Sequence, residues 1–116
     1  MGRLYFRQIE VGSISAGATE SGSYTADRDY ILRKLFVKEA TATEVGTRFL
    51  NCTFRIDDYV FTLDEVRGEL FDTLPNQAEE LNIDFGKGRT FYYSITNEHS
   101  SSAISPDVVL LLEEKT

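Results

Sequence analysis

The chain has 116 residues, of which 41% are hydrophobic and 27% charged, and its formal net charge is −7. These values predict one globular domain over residues 1–116, not a disordered or multidomain chain. The negative charge disfavours nucleic acid and anionic lipid as partners because like charges repel.

The first predicted element is a strand from Leu4 to Val11, which mixes aromatic and charged residues. Residues 1–8 are alternatively expected to form an extended N-terminal arm. The stretch from Gly12 to Gly22 is rich in glycine, serine, alanine and threonine, which predicts a loop or a weakly packed edge strand. Short strands are expected at Ser13 to Ala16 and at Ser23 to Thr25.

The segment from Tyr30 to Lys38 predicts a strand because it is rich in branched and aromatic residues and has turn signals on both sides. A helix is the rival interpretation, since Ile31, Leu35 and Lys38 also match a period of 3.6. Residues 40–46 then predict a loop.

The segment from Thr47 to Ile56 has the clearest period of two, which is typical of a half-buried strand. The apolar face of this strand is predicted to consist of Leu50, Cys52, Phe54 and Ile56. Asp57 and Asp58 follow it and predict a tight hairpin turn into a second strand at residues 59–62.

Residues 62–65 have the sequence Thr-Leu-Asp-Glu, which matches a capping box and predicts a short helical turn over residues 63–67. Gly68 and Pro75 exclude a long helix, so a long crossover is expected over residues 68–80. Its apolar side chains are expected to attach it to the core; they are Leu70, Phe71 and Leu74.

Three strands are predicted in the C-terminal third. Leu81 to Phe85 and Thr90 to Asn97 are expected to pair across a hairpin turn at Gly86 to Gly88. The last strand, Asp107 to Glu113, carries the continuous apolar run 108–112, which predicts a central position or an interface. About eight strands with regular turn signals predict an all-β, antiparallel β-sandwich with jelly-roll or Greek-key connections.

Residues able to catalyse a reaction are few. Cys52 is predicted to be a small buried apolar residue, and His99, the single histidine, is predicted to be solvated in a loop. Gly86 to Gly88 is not a phosphate-binding loop, because no Gly-Lys-Ser/Thr opens a helix there. We therefore expect a protein that is not an enzyme and that uses no cofactor.

No metal site is expected. One cysteine and one histidine are too few for a structural zinc site. The best acidic cluster combines Asp57 and Asp58 with Asp64 and Glu65, but it lacks the spacing of a calcium-binding EF-hand loop. Solvated turns are the simpler interpretation of these carboxylates.

Adjacent aromatic residues occur twice, as Tyr5-Phe6 and as Tyr92-Tyr93. Neighbouring residues in a strand point to opposite faces, so one member of each pair is expected to be exposed or in an interface. An exposed tyrosine suits a protein contact or stacking on a sugar, although the absence of tryptophan counts against a sugar site.

The C-terminal half carries a resemblance. It combines the strand Leu81 to Phe85, a Gly-Lys-Gly turn, the segment Phe91 to Asn97, a serine-rich loop and the terminal apolar strand 108–112. This order resembles small jelly-roll or sandwich proteins of tailed phages and related viruses, such as capsid decoration (cement) proteins. The resemblance implies a viral structural protein that forms a homo-oligomer, often a trimer, and binds a capsid shell protein.

The resemblance also implies where the interfaces lie. Arg3, Leu4, Tyr5 and Phe6 in the N-terminal segment would clasp a neighbour, and Tyr92 would supply an exposed aromatic contact. A carbohydrate-binding or receptor-binding sandwich module is the alternative. The expected location is the virion or otherwise the cytoplasm, since no secretion signal and no stretch near the ~20 apolar residues of a membrane span is found.

Overall fold

The structure is a computed structural model that describes residues 2–39, 47–62, 65–74 and 76–115. Its elements are strands and two 3₁₀ helices, with no α-helix among these residues. The strands are β1 (Leu4–Glu10), β2 (Thr19–Thr25), β3 (Tyr30–Glu39), β4 (Leu50–Ile56), β5 (Tyr59–Val60), β6 (Val66–Arg67), β7 (Ile83–Phe85), β8 (Thr90–Asn97) and β9 (Pro106–Glu114). The 3₁₀ helices are Thr47–Phe49 and Gly68–Phe71.

Two antiparallel sheets pack against each other. The first, sheet I, has the strand order β1-β9-β3-β7, and the second, sheet II, has the order β2-β8-β4-β5. The short strand β6 pairs with the same side of β4 as β5 does, but nearer to the start of β4, at Asn51 and Cys52. The chain passes repeatedly from one sheet to the other, which gives the strand order of a jelly roll. The predicted all-β sandwich is confirmed.

The core lies between the sheets and follows the alternation of the strands. Leu50, Cys52, Phe54 and Ile56 are all buried, as the period of two predicts. Aromatic rings fill the centre: the ring of Phe54 stacks on Phe91 at 5.7 Å between centroids. Burial of these apolar side chains is the main force that holds the two sheets together.

Strand β3 confirms the predicted strand but contains a bulge between Leu32 and Lys34. Tyr30 and Leu32 face the core before the bulge, whereas residues 35 and 37 face it afterwards. The extra residue therefore exchanges the two faces of the strand. The backbone oxygen of Arg33, freed from the ladder by the bulge, accepts a hydrogen bond of 2.7 Å from the Leu81 amide.

The predicted helical turn over residues 63–67 is wrong at Val66 and Arg67, which form β6. The hydroxyl of Thr62 does not cap a helix, because it accepts a hydrogen bond of 3.0 Å from the Phe54 amide. Leu63 and Asp64 lie outside the described residues, as do Pro75 and the loop predicted at residues 40–46.

The predicted hairpin between residues 81–85 and 90–97 is also wrong. Strand β7 pairs with β3 in sheet I, whereas β8 pairs with β2 and β4 in sheet II. The turn at Gly86 to Gly88 is present, and Gly88 has φ +88, but it carries the chain between the sheets. Strand β7 begins only at Ile83, because Asn82 is in the left-handed region with φ 53.

The crossover after β6 is attached less firmly than expected. Phe71 packs edge-on against Phe54 at 5.4 Å. Leu70 and Leu74, by contrast, are 65% and 60% exposed, so their predicted role in the core is wrong. Of the three apolar side chains, Phe71 is the one that packs against the core.

The N-terminal segment forms β1, which pairs with β9 along its whole length. The predicted strand is therefore confirmed, and residues 4–8 of the expected arm lie within sheet I of their own chain. Residues 13–16 contribute only a bridge between Ile14 and Ile104. The strand expected at Ser23 to Thr25 is confirmed and begins earlier, at Thr19.

Candidate interaction surfaces

An edge strand with exposed apolar side chains is the first candidate surface. Strand β1 lies at one end of sheet I, so its outer edge has no strand partner among the described residues. Leu4 and Phe6 project from it and are 58% and 63% exposed. Edge strands offer unpaired backbone groups to other chains, and proteins protect them with charged side chains, proline, bulges or covering segments.

Strand β9 extends this surface across the sheet. Its apolar run alternates, since Val108, Leu110 and Leu112 are buried in the core while Val109 and Leu111 are half-buried on the outer side. The run predicted a central position or an interface, and the strand is central. Phe6 lies opposite Leu111 in the register, so their side chains share the outer side of sheet I.

We call this surface the β1 face and define it as Leu4, Phe6, Val109 and Leu111. Phe36 of β3 lies beside Val109 in the register. It is only 3% exposed, yet it does not belong to the core cluster between the sheets. Apolar side chains therefore adjoin diagonally from Phe6 through Leu111 and Val109 to Phe36, while Gln8 and Lys34 occupy the remaining places in these two rows.

The predicted interface residues divide between the two sheets. Arg3 is exposed beside β1, and its backbone oxygen accepts a hydrogen bond of 2.8 Å from the Glu114 amide. Tyr5 points the opposite way from Leu4 and Phe6 and packs edge-on against Tyr30 at 6.3 Å. Tyr92 lies in sheet II, so the structure does not bring it near the other predicted residues.

A groove on the outer side of sheet II is the second candidate surface. It has a volume of about 490 Å³ and crosses β2, β8 and β4. Its hydroxyl-bearing and charged lining residues are Ser21, Ser23, Ser94, Thr53, Tyr92, Tyr93 and Arg55. We call it the hydroxyl groove. The strand register explains the lining, because Ser21, Ser94 and Thr53 form one row and Ser23, Tyr92 and Arg55 form the next.

Arg55 is the charged group of the hydroxyl groove. Its guanidinium carbon lies 3.8 Å from the centroid of the Tyr92 ring, which is a cation–π contact. Its Nη1 donates a hydrogen bond of 2.6 Å to the backbone oxygen of Asp57. Arg55 takes part in none of the ion pairs found among the described residues.

Two of the carboxylates near the β4–β5 turn, those of Asp57 and Asp84, have structural partners. Asp57 accepts hydrogen bonds from Nε of Arg89 at 2.9 Å and from the Thr90 amide at 3.1 Å. The hydrogen bond with Arg89 is the main reason that the pKa of Asp57 lies below its ordinary value. Asp84 accepts from Arg89 and Lys115. Within the described part of the chain, no group of three metal-ligating side chains occurs.

Cys52 and His99, the candidate nucleophile and base, both take part in the packing of the fold. Cys52 is confirmed as a buried residue, and burial raises the pKa of its thiol to about 12. His99 was expected to be solvated, but its ring is half-buried and edge-on to Phe49 at 4.7 Å. Its Nδ1 accepts hydrogen bonds from the amides of Ser101 and Ser102 at 3.1 and 2.9 Å.

Asn97 is a structural residue that the sequence patterns did not reveal. It is buried, and its Nδ2 donates to the backbone oxygens of Ile14 and Ser102, each at 2.9 Å. Its Oδ1 accepts from the His99 amide at 2.9 Å. Asn97 has the same parity in β8 as Phe91 and Ile95, and this parity was the available signal that it faces inward.

Comparisons with known proteins do not assign the chain to a family: no family model matches the sequence, and no curated protein is significantly similar to it. In the parts of the chain that the structure describes, no helix is long and apolar enough to cross a membrane. The surfaces themselves therefore carry the functional inference.

Proposed function

We propose that this protein is a non-catalytic structural subunit that attaches to a shell protein and to copies of itself through the β1 face. The observation that carries the proposal is the exposure of Leu4 and Phe6 on the free edge of sheet I. Large exposed apolar side chains that lie together are typical of interaction sites. Phe6 is the best candidate for a dominant contact, since aromatic side chains supply much of the energy of interfaces.

The capsid decoration role comes from the resemblance of residues 81–112 to small virion proteins. The jelly roll supports it only weakly, because lectins and cupin enzymes share the architecture with capsid proteins. A decoration protein acts by burying surface against its shell, with no covalent step. The proposal that the chain is not an enzyme is supported by the structural uses of His99 and by the burial of Cys52.

Both backbone and side chains of β1 would contribute to the contact. Alternate amides and carbonyls of an edge strand point away from its neighbour, so a second chain can add a strand there. Stable interfaces bury roughly 1,200–2,000 Å² in total, which is more than one strand supplies. The half-buried Val109 and Leu111 provide the adjoining area.

Sedimentation velocity over a wide range of protein concentrations tests the proposal. We expect the wild-type chain to self-associate and Phe6→Lys to raise the concentration needed by at least about tenfold, because the interface would lose its aromatic contact and gain a charge. Leu70→Lys is the matched control, since Leu70 is equally exposed but lies on the crossover. A wild-type chain that stays monomeric throughout, or equal effects of both variants, would contradict the proposal.

The alternative, a module that binds neutral carbohydrate by stacking, is less well supported. Such modules present open aromatic faces, and the chain has no tryptophan. Tyr92 is half-buried, and one face of its ring is covered by Arg55. The groove beside Tyr92 is lined by hydroxyl-bearing residues and by Arg55, which favour a charged ligand.

A further inference from the structure

We propose that the hydroxyl groove binds a saccharide that bears a carboxylate, such as a uronic acid. The inference does not depend on the β1 face, because the groove lies on sheet II and the β1 face lies on sheet I. The outer sides of two packed sheets point in opposite directions. A chain attached through sheet I would therefore leave the groove open to solvent.

The size and lining of the groove match a sugar ligand. Its volume of about 490 Å³ lies within the roughly 300–1,000 Å³ that is usual for small-molecule sites. Ser21, Ser94 and Thr53 form one row across three strands, and Ser23 begins the next. Each hydroxyl both donates and accepts hydrogen bonds, so such rows suit a ligand that carries hydroxyls of its own.

The charge of the groove determines which sugar it suits. None of the residues that line it bears a carboxylate, and Arg55 is its single cation. A groove without carboxylates is unusual for a chain with 19 acidic and 12 basic residues. A guanidinium binds a carboxylate through two parallel hydrogen bonds, which a neutral sugar cannot offer.

The conformation of Arg55 is fixed by its neighbours. Stacking on Tyr92 and the hydrogen bond from Nη1 to the Asp57 backbone hold the guanidinium against β8. A guanidinium has five N–H donors, and the Asp57 contact uses one of them. The carboxylate of Asp57 bonds to Arg89 and to the Thr90 amide, and its charge also attracts the guanidinium of Arg55. Arg55 is therefore pre-positioned for a ligand, which lowers the entropic cost of binding.

Gly22 of β2 and Tyr93 of β8 lie opposite each other among the residues that line the groove. The hypothetical Cβ of an alanine at position 22 would lie 2.2 Å from the hydroxyl oxygen of Tyr93, so only glycine permits the Tyr93 ring to lie across β2. Val60 of β5 extends the lining of the groove beyond β4.

Nuclear magnetic resonance titration with a matched pair of ligands tests the inference. Methyl glucuronide and methyl glucoside differ only in a carboxylate against a hydroxymethyl group. We expect the glucuronide to shift the amide signals of Ser21, Ser23 and Ser94 and to bind at least about tenfold more tightly than the glucoside. Equal binding of the two sugars would overturn the proposal, and so would a titration in which only residues outside the groove shift. Sodium acetate should bind no more tightly than the glucoside; acetate binding as strong as the glucuronide would also overturn it.

Variants separate specific recognition from general attraction. Arg55→Gln should weaken glucuronide binding at least about tenfold. Arg7→Gln is the matched control, because Arg7 also stacks on a tyrosine ring, that of Tyr24 at 4.8 Å, but lies in sheet I. Ser94→Leu keeps Arg55 and fills the groove, so it should abolish binding even if Arg55→Gln does not fold. Equal losses in Arg55→Gln and Arg7→Gln, or full binding by Ser94→Leu, would refute the site.

Discussion

Asp57 shows how one side chain shapes the turn beside the hydroxyl groove. Its backbone has φ 49, a left-handed conformation that aspartate and asparagine tolerate better than most residues. Its carboxylate bonds to Arg89 and to the Thr90 amide, and so joins the β4–β5 turn to the start of β8. The exposed Asp58 beside it has no such contact among the described hydrogen bonds.

The low pKa of Asp57 predicts a pH-dependent contribution to stability. A carboxyl group whose pKa is lower in the folded state stabilises the fold above its unfolded pKa, near about 4. That contribution is lost as the pH falls through the folded pKa. Asp57→Asn keeps the turn geometry and removes the charge, so it should be destabilising at pH 7 and nearly neutral in strong acid. Urea unfolding at both pH values measures this, with Asp58→Asn as the control; an equal effect of Asp57→Asn at both pH values would exclude the ionic origin.

Residues differed in how far sequence alone identified their roles. The burial of Cys52 followed from alternation in its strand, which is a local property. The role of His99 did not, because its partners are backbone amides of the 100–102 loop and the ring of Phe49. The loop is held by the buried Asn97, whose Oδ1 accepts a hydrogen bond from the His99 amide. No residue pattern near His99 predicts this contact.

The strands themselves follow from period and composition, whereas their pairing does not. The buried face of β4 was predicted because alternation is set within one strand. The turn at Gly86 to Gly88 has the same local chemistry whether it joins neighbours in one sheet or crosses to the other. Only the packing of the two sheets determines that β7 pairs with β3. The bulge at Arg33 was hidden for the same reason, since it exchanges the faces of β3 within an otherwise regular strand.

Adjacent leucines in β9 test the assignment of faces. Leu110 is fully buried in the core, whereas Leu111 is half-buried on the outer side. Leu110→Ala should lower the free energy of unfolding by about 3 kcal/mol, because it leaves a cavity between the sheets. Leu111→Ala should cost about 1 kcal/mol or less. Urea unfolding compares the two, and equal losses would show that the faces of β9 are assigned wrongly.

The whole molecule has two different outer surfaces, one on each sheet. Sheet I offers the apolar β1 face, and sheet II offers the polar hydroxyl groove, with the core between them. The first surface was partly predictable, because the adjacent Tyr5 and Phe6 must point to opposite faces of a strand, so that one of them is exposed or in an interface. The second was not, since Ser21, Ser94 and Thr53 are far apart in sequence and form a row only through the order of the strands.

Hydrogen–deuterium exchange at low and high protein concentration tests the proposed assembly most directly. If chains associate through the β1 face, exchange in residues 4–10 should slow as the concentration rises, because the free amides of the edge strand become hydrogen-bonded or covered. Exchange in the β2 and β4 strands that line the hydroxyl groove should not change. Unchanged exchange in residues 4–10 under conditions where the protein associates would place the interface elsewhere and contradict the account.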